Sequence, residues 1–409
     1  MPFKYINELL NFPEVKIVNV KIEEYRAIIE VTPVEYVQNC PCCHSSSVIR
    51  NGVPYKRDVR HLAAFDKTVD LRIPAICLLC KQCDANFTWE YTFVEPKKRY
   101  TKAFSAFIAR QTFGTTVEQI SHEQQVPYST MERIFKRELH EKSKEVQKQV
   151  YQKAVERDNL VLGIDDFAIR KGHTYNTGLH DLKGGQFLDV IPGRKGEELQ
   201  NYAENHELFR LLNPIAVVMD LAKMYHTFCE EWFPNAIRIA DRFHVNRYVT
   251  EALQDVRRKA QSKLSAQAKK NLKSKARLLN KRADDLTDDE AVIVQECLSY
   301  DESLANIYKW KEDFITWYDC APDVKTATIW FERWCDQGKS LELSEVDACL
   351  KTMLNWKEEI INYHRLRYTN AAVEGRNNRI KALQRRLYFT RNQSVYKERI
   401  MVECNREIA

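Results

Sequence analysis

The run Val161-Leu162-Gly163-Ile164 leads four small or apolar residues directly into Asp165-Asp166, the pattern of a short buried strand that ends in carboxylates. Tyr175 to His180 and Gln186 to Ile191 read as two further strands, joined by a hairpin turn at Gly184-Gly185. Pro192-Gly193 ends the third strand, and a helical pattern follows from Glu197 to Arg210. A fourth strand, Ile215 to Met219, runs into Asp220. A helix from Met224 to Trp232 is broken by Pro234-Asn235, and a fifth strand, Ala236 to Ala240, enters Asp241-Arg242-Phe243-His244. Residues 11 to 38 are β-rich, residues 100 to 138 read as helices, and Glu138 to Val155 as a charged helical connector. Well over a hundred mostly helical residues separate the fifth strand from Glu374, which sits early in a last helical pattern.

The order β-β-β-α-β-α-β-α predicts an α/β ribonuclease H-like core, a mixed sheet with helices on both faces, carrying an all-helical insertion. In that topology the first strand is central and the fourth is its neighbour, so acids at their ends lie side by side. The expected domains are a β/zinc-ribbon domain at 1–95, a helix-turn-helix domain at 96–155, and the first part of the core at 156–250. The helical insertion at 251–360 and the last core helix at 361–409 complete the chain. At 409 residues and 44% hydrophobic content it can build several cores. The net charge of +6 is mild; its distribution matters more. From Arg257 to Arg282, eleven Lys and Arg occur with no acid among them, and Arg376, Arg379, Lys381, Arg385, Arg386 and Arg391 follow Glu374. Such stripes suit a phosphate backbone. Met1-Pro2-Phe3-Lys4 is not a signal peptide, and no apolar run has the length of a membrane helix. A cytoplasmic protein without membrane contact is expected, and the 12 cysteines are then no disulfide framework.

Three carboxylates brought together by the fold can hold two divalent cations: Asp165 or Asp166, Asp220, and Glu374. Asp241 also ends a strand, but an outer one. With His244 three residues on, it suits a helix cap or a partner that orients a ligand. Cys40/Cys43 and Cys80/Cys83 form two C-x-x-C pairs with the spacing of one tetrahedral Zn²⁺ site. Cys42, His44 and Cys77 stand close by, and Cys77/Cys80 is itself such a pair. Arg57, Arg60 and Arg72, between the knuckles, place the ribbon near DNA. Apolar positions 117, 120, 126, 131 and 134 fit a helix-turn-helix whose second helix, capped by Tyr128-Ser129, exposes Thr130, Arg133 and Lys136 to a major groove. Gln124-Gln125 occupies the turn where glycine is common. Trp310, Trp317, Tyr318, Trp330, Trp334 and Trp356 read as core of the insertion.

Three segments carry a resemblance: Gly163-Ile164-Asp165-Asp166-Phe167-Ala168-Ile169-Arg170-Lys171-Gly172, Asp241-Arg242-Phe243-His244-Val245, and Glu374-Gly375-Arg376-Asn377-Asn378-Arg379-Ile380-Lys381. They resemble the bacterial insertion-sequence transposases of the ISL-three family, as do the ribbon and the helix-turn-helix. Asp166 stands where that family usually has Glu. The resemblance implies a DDE transposase that cuts and rejoins its own element's DNA. Asp165, Asp220 and Glu374 match the three acids by position, with Asp241 and His244 in support and two Mg²⁺ or Mn²⁺ per site. The implied partners are double-stranded DNA, both terminal inverted repeats and target, with Arg376 and Arg379 among the contacts. A homodimer or larger assembly in a bacterial, nucleoid-associated setting is implied as well. The competing readings are a sequence-specific DNA-binding regulator with an inactive nuclease fold and a structure-selective nuclease of the same fold.

Overall fold

The computed structural model describes residues 4–35, 38–52, 55–170, 174–387 and 392–407. Lys171-Gly172 of the first motif and Arg391 of the second basic run lie outside them. The chain divides into two compact units, 1–142 and 143–409. Among the described residues no helix is long and apolar enough to cross a membrane.

In the first unit a short helix α1 (Lys4–Leu10) precedes seven strands. These are β1 (Val15–Ile22), β2 (Arg26–Pro33), β3 (Val48–Arg50), β4 (Tyr55–Ala64), β5 (Lys67–Ala75), β6 (Cys77–Cys80) and β7 (Asn86–Thr88). They form two sheets, β1-β2-β5-β4 and β3-β6-β7. The alternating apolar residues of the larger sheet, among them Val15, Ile29, Val31, Val59 and Leu71, pack on Trp89, Tyr91 and Phe93. Arg57, Arg60 and Arg72 stand on β4 and β5, in this sheet and not in the cysteine ribbon. They are also engaged locally. Arg72 pairs with Asp58 at 2.8 Å, Arg57 donates to the Lys98 carbonyl, and the Arg60 guanidinium lies over the Phe104 ring.

Three helices follow: α2 (Lys102–Thr112), α3 (Val117–Glu123) and α4 (Tyr128–Val155). Thr101 and Thr116 cap α2 and α3 through their hydroxyls. Gln125 takes a left-handed backbone (φ 53°) in the α3–α4 turn, where glycine is the usual choice. The predicted second helix and connector are one continuous helix, beginning at Tyr128 immediately after Pro127. Ile120, Val126, Met131 and Ile134 are buried beneath the pair.

The second unit is built on a five-stranded sheet of β8 (Val161–Arg170), β9 (Thr174–Asp181), β10 (Gln186–Pro192), β11 (Ala216–Met219) and β12 (Ile237–Ala240). Its order is β10-β9-β8-β11-β12. β8, β9 and β10 are antiparallel neighbours, whereas β11 runs parallel to both β8 and β12. Such a mixed sheet is compatible with a ribonuclease H-like core. The helical pattern at 197–210 divides into α5 (Gly196–Asn205) and α6 (Glu207–Arg210), because His206 turns extended and caps α6 with its ring. The next helix, α7 (Lys223–Trp232), lies with α5 on the face of Leu162, Ile164, Val217 and Met219.

On the other face Val161, Ala216, Val218 and Ile239 meet the helical region. This comprises α8 (Arg242–Lys263), α9 (Ala266–Ser274), α10 (Asp288–Leu298), α11 (Glu302–Cys320), α12 (Val324–Ser340), α13 (Ser344–Asn355) and α14 (Lys357–Leu366). Its aromatics are core. Trp310 and Trp334 stack at 4.3 Å, and each indole N–H donates to the other's backbone carbonyl. The basic run of 257–282 is no continuous free stripe. Arg257 is buried against Gln254 and Gln261, Lys259 pairs with Glu345, Lys281 with Glu290, and Arg282 with Asp319. Two last helices, α15 (Ala371–Arg386) and α16 (Gln393–Cys404), return to the sheet.

Candidate active site

Side chains alternate across a strand, so Asp165 and Asp166 face opposite sides of β8. Asp166 accepts from Arg194 Nη1 at 2.8 Å, and that guanidinium also lies 4.0 Å from the Tyr175 ring centre. Asp165 faces the other way. The parallel register pairs Ile164 with Met219, so Asp165 and Asp220 follow side by side. Asp220 leaves β11 at its end, whereas β8 runs on to Arg170 paired with β9, so Asp165 lies within the strand and not at the end that the apolar run predicted. Ligand atoms of Asp165, Asp220 and His244 all lie within 4.8 Å of one another.

His244 reaches this cluster from the first turn of α8, its Nε2 3.1 Å from Asp220 Oδ1 and 4.0 Å from Asp241 Oδ2. Asp241 occupies the N-cap position of α8 but makes no side-chain cap bond. Its Oδ1 instead accepts from the Asn370 backbone N–H at 3.2 Å. The Asn370 side chain donates to the Ile164 carbonyl, and Asn377 Nδ2 donates to Asp165 Oδ2 at 2.6 Å. This is why Gly163 is a glycine: a Cβ there would come within 2.9 Å of Asn370 Oδ1 and 3.0 Å of Val373. Only bare backbone lets the start of α15 press on β8.

Glu374 lies outside the tight cluster, exposed on the first turn of α15. Asn370, Glu374 and Asn377 are spaced i, i+4, i+7, so they share one helix face. Both asparagines touch the cluster, and Glu374 sits on the same side between them. Asn370, Asn377 and Arg194 were not legible as site residues. Amides and a loop arginine carry no chemical signature, although the i, i+7 frame around Glu374 was available.

Electrostatically, burial and carboxylate repulsion outweigh the positive charge nearby, Lys381 beside Asp165 and Arg247 beside Asp220. Burial raises Asp220 to about 8, helped by Asp165 and Asp241. Burial raises Asp165 to about 7, with Asp166 and Asp241 adding repulsion. Burial also raises Asp241 and holds His244 below the usual imidazole range. Asp220 Oδ1 is buried without a hydrogen bond. Two half-buried carboxylates under mutual repulsion, one with a buried oxygen approached by the His244 ring, fit a divalent cation bound by oxygen.

In the first unit Cys40, Cys43, Cys80 and Cys83 converge, with Sγ–Sγ distances of 3.5 Å for Cys40–Cys83 and Cys43–Cys80. A thiolate tetrahedron around zinc, with bonds near 2.3 Å, needs sulfurs roughly 3.8 Å apart, so the four fit that ion. The two knuckles repeat one design. The backbone N–H of Cys42 points at Cys40 Sγ and that of Gln82 at Cys80 Sγ. The fifth residue of each, His44 and Asp84, is left-handed. Backbone N–H groups of Cys43 and Cys42 hold the Cys40 thiol down to about 6, which favours the thiolate. Cys42, Cys77 and His44 lie outside the group. On α4, Arg133 is exposed, Thr130 is half-buried, and Lys136 is half-buried and paired with Glu132.

The family model of ISL3-type DDE transposases, described as "Transposase", matches residues 162–400. The transposase for insertion sequence element IS1001 of Bordetella parapertussis is 24% identical over 343 residues, spanning 83% of this chain and 82% of that protein. The family match covers more than half of the chain, including Asp165, Asp220, His244 and the helix bearing Glu374, and the chain belongs to the ISL3 family of insertion-sequence DDE transposases.

Proposed function

We propose that this transposase binds the terminal inverted repeats of its element as double-stranded DNA, cuts the ends and joins them to target DNA. The observation that carries this reading is the juxtaposition of Asp165 on β8 and Asp220 at the end of the neighbouring β11, with α15 bound to both β8 and Asp241. Asp165, Asp220 and Glu374 are the catalytic carboxylates. They would hold divalent cations, which would supply activation of the attacking water or 3′-hydroxyl and charge stabilisation at the leaving 3′-oxygen of an in-line displacement. Asp165 and Asp220 would hold the cations from adjacent strands, and Glu374 would complete the set from the first turn of α15. His244 fixes the orientation of Asp220, and Asp241 fixes α15 through Asn370. The unit is read as a ribonuclease H-like core interrupted by its helical insertion, and α3–α4 as a helix-turn-helix that reads the ends with Arg133 foremost. The cysteine ribbon, holding one Zn²⁺, stiffens the same end-binding region. Joining two ends requires two copies of the chain in the DNA complex.

The test is cleavage of a duplex carrying the element's end, with Mg²⁺. Asp165→Asn, Asp220→Asn and Glu374→Gln each abolish cleavage and retain binding, whereas Asp241→Asn slows cleavage without abolishing it. Wild-type cleavage by Asp220→Asn overturns the assignment.

A further inference from the structure

The helix that bears Glu374 has a second functional face. At 3.6 residues per turn, Asn370, Glu374, Asn377 and Gln384 share one side of α15, and Gly375, Arg379, Ala382 and Arg386 share the opposite side. That far side opens on a cleft of about 770 Å³, bounded by the Gly184-Gly185 turn between β9 and β10 and by residues 403–407 at the end of α16.

Arg376 lines the cleft and is only 8% exposed. Its Nη1 lies 3.3 Å from Nδ1 of His180, a fully buried ring. Burial and the adjacent guanidinium hold His180 well below the usual imidazole range, so the ring is neutral and supplies no counter-charge. Among the described residues no carboxylate pairs with Arg376 or Arg379, and the nearby acids are committed elsewhere. Asp181 accepts from Arg157 Nε at 3.0 Å and from the Gly184 N–H at 2.7 Å. Glu403 accepts from Arg386, Arg399 and Arg406 at 2.6, 2.8 and 3.0 Å. A buried guanidinium without an anion is costly, and this one faces an open cavity. The cleft is also clear of side chains where an anion must approach: a Cβ on Gly375 would meet nothing, and one on Gly185 would stop 3.8 Å from Arg376 Nη2.

We propose that this cleft binds a backbone phosphate of double-stranded DNA, distinct from the scissile phosphate on the other side of α15. The inference rests on the reading that the chain acts on DNA. Arg376 supplies the buried charge, and Arg379 supplies a second, exposed guanidinium one turn along. Arg386 and Arg406 keep the rim cationic while neutralising Glu403.

The experiment uses the full chain and a random-sequence duplex, with affinity followed across a salt series. Arg379→Gln, exposed and free of structural partners, is expected to weaken binding several-fold at low salt and to lower the slope of log affinity against log salt by about one. Arg376→Gln, where it melts like the wild type, is expected to do the same. Unchanged affinity and slope in Arg379→Gln overturn the proposal even where Asp165→Asn abolishes cleavage, so the two readings fail separately. A second arm adds inorganic phosphate alone. If phosphate raises the melting temperature of the wild type but not of Arg379→Gln, and duplex affinity is equal in both, the cleft takes a free anion and the proposal is overturned.

Discussion

The side-chain amide of Asn377 donates to Oδ2 of Asp165 across 2.6 Å. With the Asn370 and Gln384 amides, which donate to the Ile164 and Ala168 carbonyls, it joins the helix carrying Glu374 to the strand carrying the first acid. Groups that orient metal-binding carboxylates typically matter about 10–100-fold. Asn377→Ala is therefore expected to slow single-turnover cleavage by about that factor and leave end binding intact. Asn377→Asp should be worse, because it replaces the amide donor with another carboxylate beside Asp165, which burial and its neighbours already push up. Equal cleavage by Asn377→Ala and wild type would remove Asn377 from the machinery.

Asp165 and Asp220 sit at about 7 and 8 in the folded chain, against about 4 when unfolded. A raised folded value means that the native state holds these protons more tightly. Stability of the metal-free chain then falls as pH rises from about 4 to about 8. Asp220→Asn removes one of the two penalties. Without divalent cations at pH 8 it is expected to melt above the wild type by about 3–6 °C, the equivalent of roughly 1–2 kcal/mol, and level with it at pH 4. Mn²⁺ should stabilise the wild type and not the variant. A variant less stable at both pH values would contradict the electrostatic account.

Much of this architecture was readable from the order of elements. The apolar runs at 161–164 and 215–219 fall where β8 and β11 pair, because a buried parallel strand needs little more than such a run. The choice between Asp165 and Asp166 was not readable. It depends on which side of β8 faces Asp220, and a one-residue change of register would exchange them. Which cations of the basic run at 257–282 are engaged was not readable for a related reason. Asp319 and Glu345 lie far along the chain from Arg282 and Lys259, and only the folded helices bring them close. The four zinc-type cysteines were legible because each knuckle is local. Asn370 and Asn377 were not, since their importance comes from contacts more than 120 residues away.

Each knuckle supplies two sulfurs, and neither alone completes a tetrahedron. The purified chain is expected to carry about one zinc per molecule. Cys80→Ser should lose that zinc and most DNA affinity, while thermal unfolding of residues 143–409 stays unchanged. Cys77→Ser and Cys42→Ser should keep the metal. Zinc retained in Cys80→Ser and lost in Cys77→Ser would transfer the ligand role to the other C-x-x-C pair.

The central claim is that Asp165 and Asp220 share a divalent cation. Anomalous diffraction from crystals soaked in Mn²⁺ tests it most directly. The account predicts a manganese peak between the two carboxylates, absent in Asp165→Asn crystals. A peak on Asp241 or Asp166 with Asp220 uninvolved would contradict it.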